Sequence, residues 1–378
     1  MSAFAPQPLP EWRRAVLKVG SSLLAGDGGL DARHARGLAG FIAAARAQGR
    51  EVVLVSSGAV AAGRSRVGVA GHGLVQRQAL AALGQASLMG FWQALFESPV
   101  AQVLLTHDDL RNRRRYLNAR TALQELLRLG AQPIVNENDT VAVDELKLGD
   151  NDNLAAAVAS LVHADLLLIA TDIAGLYTAN PATQPEAKPV PRIEAITPEV
   201  LAMAGDAGAL GTGGMRTKLE AASKAAAAGI ATGLFCGRDP AAVAALGQGT
   251  LRGTFVAAPG NRLRARKQWL RHAPASGVLV VDDGARNALL RGASLLPGGV
   301  RAVQGDFRRG DVLDIRGASG ELLARGLAQY NAQETARIAG RHSREIETVL
   351  GYRYDEAVVH RDDLVLLQGA DIPREATT

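Results

Sequence analysis

Five stretches of this sequence combine lysine, small polar and acidic residues at spacings suited to handling an anion. In LKVGSSLL, Leu17–Leu24, Lys18 lies near the end of an apolar run and is followed by Gly20, Ser21 and Ser22. Small residues let backbone N–H groups approach an anion, and the lysine adds mobile positive charge. Lysine inside an apolar strand is unusual; the plainer reading is a lysine in an ordinary strand-to-helix turn. In VLVSSGAVAAGR, Val53–Arg64, an apolar run ends in Ser56-Ser57-Gly58 and a small-residue helix follows. The N–H groups and dipole of that helix start suit a phosphate or a carboxylate. Ser57 acting only as an N-cap is the alternative.

The stretch NENDTVAVDELKLGDNDNL, Asn136–Leu154, packs Glu137, Asp139, Asp144, Glu145, Asp150, Asp152, four asparagines and Lys147 into 19 residues. A loop this acidic is ordinarily just solvated. Here it lies between a buried strand and an apolar helix, which predicts that several members are held in place. Asp and Asn grip ammonium groups, and a buried Asp orients lysines. Mg²⁺ usually keeps most of its waters and takes few protein ligands. In LLLIATDIAGLYTANP, Leu166–Pro181, a buried strand ends in Thr171-Asp172, a platform for a nucleoside or else a simple turn. In GTGGMRTKLEAA, Gly211–Ala222, a glycine loop runs into a helix with Thr217 and Lys218 in its first turns, either a phosphate cradle or a linker. No G-x-x-x-x-G-K-[ST] or G-x-G-x-x-G occurs, so any nucleotide is held without those loops. Two lysines on separate loops plus several helix starts predict phosphoryl transfer, where positioning and electrostatics do most of the work.

The elements that position these residues are legible in the apolar pattern. Short apolar runs occur at Ala15–Val19, Val52–Val55, Val100–Leu105, Ile134–Val135 and Leu166–Ala170, with helical stretches near 31–48, 74–97, 113–129 and 151–163 between them. Continuous apolar strands alternating with helices predict a parallel sheet covered on both faces. Almost every polar cluster follows a strand, at the rim where open α/β sheets bind ligands. From about residue 276 the strands shorten and Gly/Asp turns crowd together, which predicts a small β-barrel or sandwich.

At 378 residues two or three domains are expected, and 47% hydrophobic residues with only 4% aromatics place the packing on Ala, Leu and Val. The single cysteine, Cys236, excludes an intrachain disulfide and a cysteine metal cluster and reads as a buried strand-end residue. No apolar run approaches the roughly 20 residues of a membrane span. The first dozen residues lack the parts of a signal peptide, and we read them as a short disordered lead into a cytoplasmic enzyme. The net charge of +5 is concentrated around Arg262, Arg264, Arg266, Lys267 and Arg271, which reads as a solvated helix or linker, with nucleic-acid contact as the minor alternative.

KVGSSLL, VSSGAVAAGR, QALAALGQASLM, QVLLTHDD, YLNARTAL, the acidic loop, LLLIATDIAGLYTANP and GTGGMRTKLEAA stand in the order seen in the glutamate 5-kinases of the amino acid kinase family, and the chain resembles that family over about residues 14–260. GASLLPGGV, GDFRRGDVLDI and LARGLAQYNAQE resemble a PUA domain. The resemblance implies an αβα sandwich with a mainly parallel sheet plus a small C-terminal PUA-like β-barrel. The division expected is a lead over 1–13, a kinase domain over 14–258, a basic linker over 259–275, the barrel over 276–366 and a tail over 367–378. The activity implied is transfer from ATP to the side-chain carboxylate of L-glutamate, the first step of proline biosynthesis, yielding ADP and L-glutamyl 5-phosphate. Lys18 and Lys218 would neutralise phosphates, and Asp152 would orient them. Ser57, Asp139 and Asn151 would hold glutamate, with Asp150 and Lys147 close by. Lys18, Thr171, Asp172, Thr212, Gly213, Gly214, Met215, Arg216, Thr217 and Lys218 would line the ATP site, and Mg²⁺ would ride on ATP and water. Proline feedback inhibition, a homo-oligomer and hand-over of product to glutamyl-phosphate reductase are further implications. Two other readings remain: a related kinase for N-acetylglutamate, aspartate, carbamate or UMP, and an RNA-binding protein with a regulatory kinase-like half.

Overall fold

The computed structural model describes residues 4–26, 28–69, 73–142, 151–205, 214–258, 270–271 and 273–367. It resolves into two compact units, 1–262 and 263–378. The first contains strands β1 (Gln7–Pro8), β2 (Arg14–Val19), the short hairpin β3 (Ala25–Gly26) and β4 (Gly29–Leu30), β5 (Glu51–Ser56), β6 (Val100–Leu105), β7 (Gln132–Glu137), β8 (Leu166–Thr171), β9 (Arg192–Ile193), β10 (Ala231–Cys236), β11 (Thr250–Leu251) and β12 (Gly253–Val256). Eight of these form one sheet in the order β6-β7-β5-β2-β8-β10-β12-β9. From β6 to β10 every neighbouring pair is parallel, and β12 joins antiparallel.

The period of two along each strand sorts side chains to opposite faces. Ala15, Leu17 and Val19 of β2, with Val52 and Leu54 of β5, pack on one face beside α1 (Ala32–Ala47) and α3 (Leu74–Gln93). Val16, Val53 and Val55 pack on the other, beside α5 (Arg113–Arg128), α6 (Asn151–Leu161) and α8 (Met215–Ala227). Each fully buried Val or Leu contributes about 1.5–3 kcal/mol, so two covered faces make the central strands the most secure part of the unit. The same alternation puts Lys18, two residues after Val16, on the α6 and α8 face. The sheet and its two layers are the αβα sandwich the sequence predicts.

The chain entry corrects the expectation of a disordered lead. Phe4 is buried and meets Tyr177 edge-on at 5.4 Å between ring centroids. Strand β1 pairs with β11, and the Gln7 amide donates to the carbonyls of Pro191 at 2.7 Å and Gly253 at 2.9 Å. A two-residue edge strand needs only backbone partners, which QPLP does not advertise. Cys236 ends β10 as expected but is half-buried rather than buried.

The second unit is built on a mixed five-stranded sheet in the order β14-β13-β15-β16-β17, with β13 (Gly277–Val281) parallel to β15 (Val312–Arg316) and antiparallel to β14 (Val300–Gln304), followed by β16 (Leu322–Leu327) and β17 (Leu364–Leu366). Its own core includes Leu279, Val281, Leu313, Ile315 and Tyr330. Most of the basic segment expected as a linker lies outside the described residues, as does all but the first residue of the expected tail.

Candidate active site

All the central parallel strands point their C-terminal ends the same way, so the turns after β2, β5, β7 and β8 share one rim. A cavity of about 510 Å³ opens there, lined among others by Lys18, Ser57, Asp139, Asn151, Thr171, Asp172 and Lys218. These residues are far apart in sequence and meet because of the strand order.

Behind the lining residues Lys18 and Lys218 lies Asp152, fully buried in the first turn of α6. Lys18 Nζ stands 2.6 Å from Asp152 Oδ1, and Lys218 Nζ donates to Oδ2 at 3.2 Å. The Thr217 hydroxyl also donates to Oδ2, at 2.9 Å. Both lysines are themselves buried, 5% and 6% exposed. Burial pushes the Asp152 carboxyl up, but the ammonium groups of Lys18 and then Lys218, with hydrogen bonds from Lys18 and Thr217, outweigh it and hold the carboxyl below the usual range. The trio thus carries two cations against one anion in a poorly solvated place. Two buried ammonium groups sharing one carboxylate favour an arriving anion.

A second, neutral network runs under the β5–β7 side. Asn151 Nδ2 donates to Ser57 Oγ at 2.7 Å and to Asn136 Oδ1 at 3.1 Å, and Asn136 Nδ2 donates to Gln85 Oε1 at 3.0 Å. Because Ser57 Oγ accepts here, its hydroxyl proton is left to donate elsewhere. Asn151 Oδ1 is buried without a hydrogen-bond partner among the described residues, an acceptor at the cavity wall. Above it, burial lifts the Asp139 carboxyl to about 6. A half-buried carboxyl with no ion pair among the described residues gains from an arriving ammonium.

The local structure settles several alternatives. Helix α2 (Ala59–Val67) starts from Gly58, held at φ 116°, a left-handed conformation that favours glycine. Ser57 is therefore not its N-cap and instead meets Asn151. Ser56 turns the other way, where its Oγ accepts from Trp92 Nε1 at 2.9 Å. Lys18 is no ordinary turn lysine, since β2 delivers it to Asp152. Thr171 is buried and donates to the Asp172 carboxylate at 3.2 Å, and Asp172 is exposed.

Not every expected residue joins the cavity. Asp152, Gly214, Met215, Arg216 and Thr217 are not among its lining residues, though Asp152 reaches it through the two lysines. Gly214 is the N-cap of α8, and Arg216 faces outward to Glu220 at 3.2 Å. Lys147, Asp150, Thr212 and Gly213 lie outside the described residues. Sequence reasoning gave no role to Asn136, Gln85, Arg64 or Arg77. Asn136 carried a usable signal, a polar residue closing the apolar run PIV. The other three sit in helices where nothing local separates them from surface residues.

A doubly covered parallel sheet with two buried lysines on one aspartate at its rim is the arrangement of an anion-handling transferase. Residues 13–235 match the amino acid kinase family and residues 277–350 match the PUA domain; the chain belongs to the amino acid kinase family. Within it, the chain is 65% identical over 362 residues to the glutamate 5-kinase of Xanthomonas euvesicatoria pv. vesicatoria, covering 93% of this chain and 100% of that one. It is 60% identical over 377 residues to the glutamate 5-kinase of Xylella fastidiosa, covering 97% and 98% respectively.

Proposed function

We propose that this chain transfers the γ-phosphoryl group of ATP to the side-chain carboxylate of L-glutamate, giving ADP and L-glutamyl 5-phosphate, the entry to proline biosynthesis. The observation that carries the chemistry is Asp152 held between Lys18 and Lys218. The acceptor carboxylate, with an ordinary pKa near 4.3, is already ionised at neutral pH and needs no general base. One of its oxygens forms the new bond to phosphorus as the bond to the bridging β-phosphate oxygen breaks. Lys18 and Lys218 meet the charge spread over the transferred group, and Asp152 keeps both ammonium groups aimed. It cannot serve as a base while both its oxygens face ammonium groups.

In this reading Ser57, Asn151 and Asp139, with Asp150 and Lys147 near them, hold glutamate on the β5–β7 side. The β2–β8 side takes the nucleotide, with Thr171, Asp172 and the 212–218 segment about it. In the same reading Mg²⁺ rides on ATP and water and enters as part of the Mg·ATP substrate. Proline inhibition, a homo-oligomer, hand-over to glutamyl-phosphate reductase and a cytoplasmic setting belong to the same proposal, supported by the family alone. Among the described residues no helix is long and apolar enough to cross a membrane.

The test is to trap the acyl phosphate with hydroxylamine. Mg·ATP with L-glutamate should give a hydroxamate, whereas N-acetylglutamate, which lacks the ammonium, and aspartate should give little. Comparable turnover of N-acetylglutamate would replace the acceptor named here.

A further inference from the structure

The proposed function leaves two cavity-lining cations without a task. Arg64 lies on α2 and Arg77 in the first turns of α3, and both line the same cavity as Ser57, Asp139 and Asn151. Arg77 is half-buried and Arg64 exposed. Among the described residues neither guanidinium makes a hydrogen bond, an ion pair or a ring contact, although Glu137 and Asp139 line the same space. Their placement follows from the helices. Side chains lean toward the N-terminus of their own helix, and α2 begins at the rim, so Arg64 reaches back toward the turn after β5. The strand order β7-β5-β2-β8 then lays out the cavity as a sequence of charges. Asp139 follows β7, Ser57 and Arg64 follow β5, Lys18 belongs to β2 and Asp172 follows β8. The guanidinium carried by α2 is thus on the acceptor side of the lysines, and α3 packs against α2 through a close glycine crossing that brings Arg77 to the same end.

We infer that Arg64 and Arg77 bind the α-carboxylate of the amino-acid acceptor and so select an acceptor that carries one. This rests on the proposed function and names what that function leaves open. An α-amino acid presents an ammonium and a carboxylate on one carbon. Besides Glu137, the acceptor side of the cavity presents the Asp139 carboxylate and two guanidinium groups not paired with it, which matches that zwitterion while the side-chain carboxylate points toward Lys18. A guanidinium also suits a carboxylate geometrically, since its parallel N–H groups engage both oxygens.

The probe is the α-amide of L-glutamate, which keeps the ammonium and the side-chain carboxylate but replaces the α-carboxylate with a neutral carboxamide. ADP release is measured with the full chain and Mg·ATP, for glutamate and for the α-amide. The unaltered chain should prefer glutamate by at least about tenfold in kcat/KM. Arg77→Gln and Arg64→Gln should each lower kcat/KM for glutamate by about 10- to 100-fold, the scale of one lost charged hydrogen-bonding pair. The loss should fall in the glutamate KM, leave the KM for ATP within a few fold, and bring the glutamate-to-amide preference toward one. Arg77→Lys should restore part of it. Equal losses for both acceptors, or a loss confined to kcat and the ATP constant, would overturn the inference by making these arginines phosphate contacts or structural groups. An unaltered chain that phosphorylates glutamate and the α-amide alike overturns it without any variant. A chain that phosphorylates neither overturns the proposed function and this inference with it.

Discussion

Lys18, Lys218 and Asp152 act as one group, because the carboxylate is what lets two ammonium ions share a buried space. Lys18→Ala and Lys218→Ala should each lower kcat by roughly 10²- to 10³-fold, the scale of one deleted preorganised donor, with circular dichroism confirming the fold. Near-normal kcat in a folded Lys18→Ala would remove the lysine from the mechanism. The two carboxylates respond to pH in opposite senses. The Asp152 carboxyl is depressed, so its stabilisation is present above its ordinary value of 3.8 and is lost only as pH falls through a still lower one. The Asp139 carboxyl is raised by burial from 3.8 to about 6, so the fold favours its protonated form, and that contribution is lost as pH rises between these values. Asp139→Asn should therefore stabilise the ligand-free chain against urea at pH 8. Only ionised Asp139 grips an ammonium, so kcat/KM for glutamate should fall as pH drops through about 6. In Asp139→Asn the constant should be low and lack that limb. A limb that persists in the variant assigns it to another group.

Helices α2 and α3 cross at unusually short range, and the crossing sets the acceptor end of the cavity. A Cβ on Gly63 would stand 1.9 Å from the Leu80 carbonyl oxygen, and one on Gly84 would stand 1.8 Å from that of Ala59. Both obstacles are backbone, so they yield only if the helices separate. Gly63→Ala and Gly84→Ala should each destabilise the chain by about 1–3 kcal/mol, as overpacking does, and raise the glutamate KM by shifting Ser57 and Arg77. Gly90→Ala, on the same α3, meets nothing within 4 Å. It should be neutral or stabilising by up to about 1 kcal/mol through helix propensity alone. Urea melts of the three variants compare them directly. A Gly63→Ala as benign as Gly90→Ala would mean that the crossing can open freely.

At the scale of the whole molecule, each unit has a core of its own. The hydrophobic clusters of the sandwich hold residues up to Ala258, and those of the C-terminal sheet begin at Leu270. Every residue of the proposed chemistry belongs to the first. A chain ending at Ala258 should therefore fold and keep measurable glutamate kinase activity in the hydroxamate assay. A soluble, folded product with no activity would show that the C-terminal unit helps build the site.

The strands carrying the apolar runs from Ala15, Val52, Val100 and Leu166 and the helices between them were legible because periodicity and turn chemistry are local properties. Lys18 in an apolar strand and three polar residues opening an apolar helix at Asn151 were legible as conflicts with their surroundings. Which partners they meet was not. Asn151 and Ser57 are 94 residues apart and Lys218 and Asp152 are 66 apart, and no local pattern records the order in which strands lie side by side. The packing of Phe4 and β1, the choice of Ser57 over Ser56 and the arrival of Arg77 at the cavity depend on the same long-range order. Sequence spacing determined which side chains stand at the ends of strands and helices. Only the assembled sheet, by burying them together away from water, decided which charges are paired and which remain for a substrate.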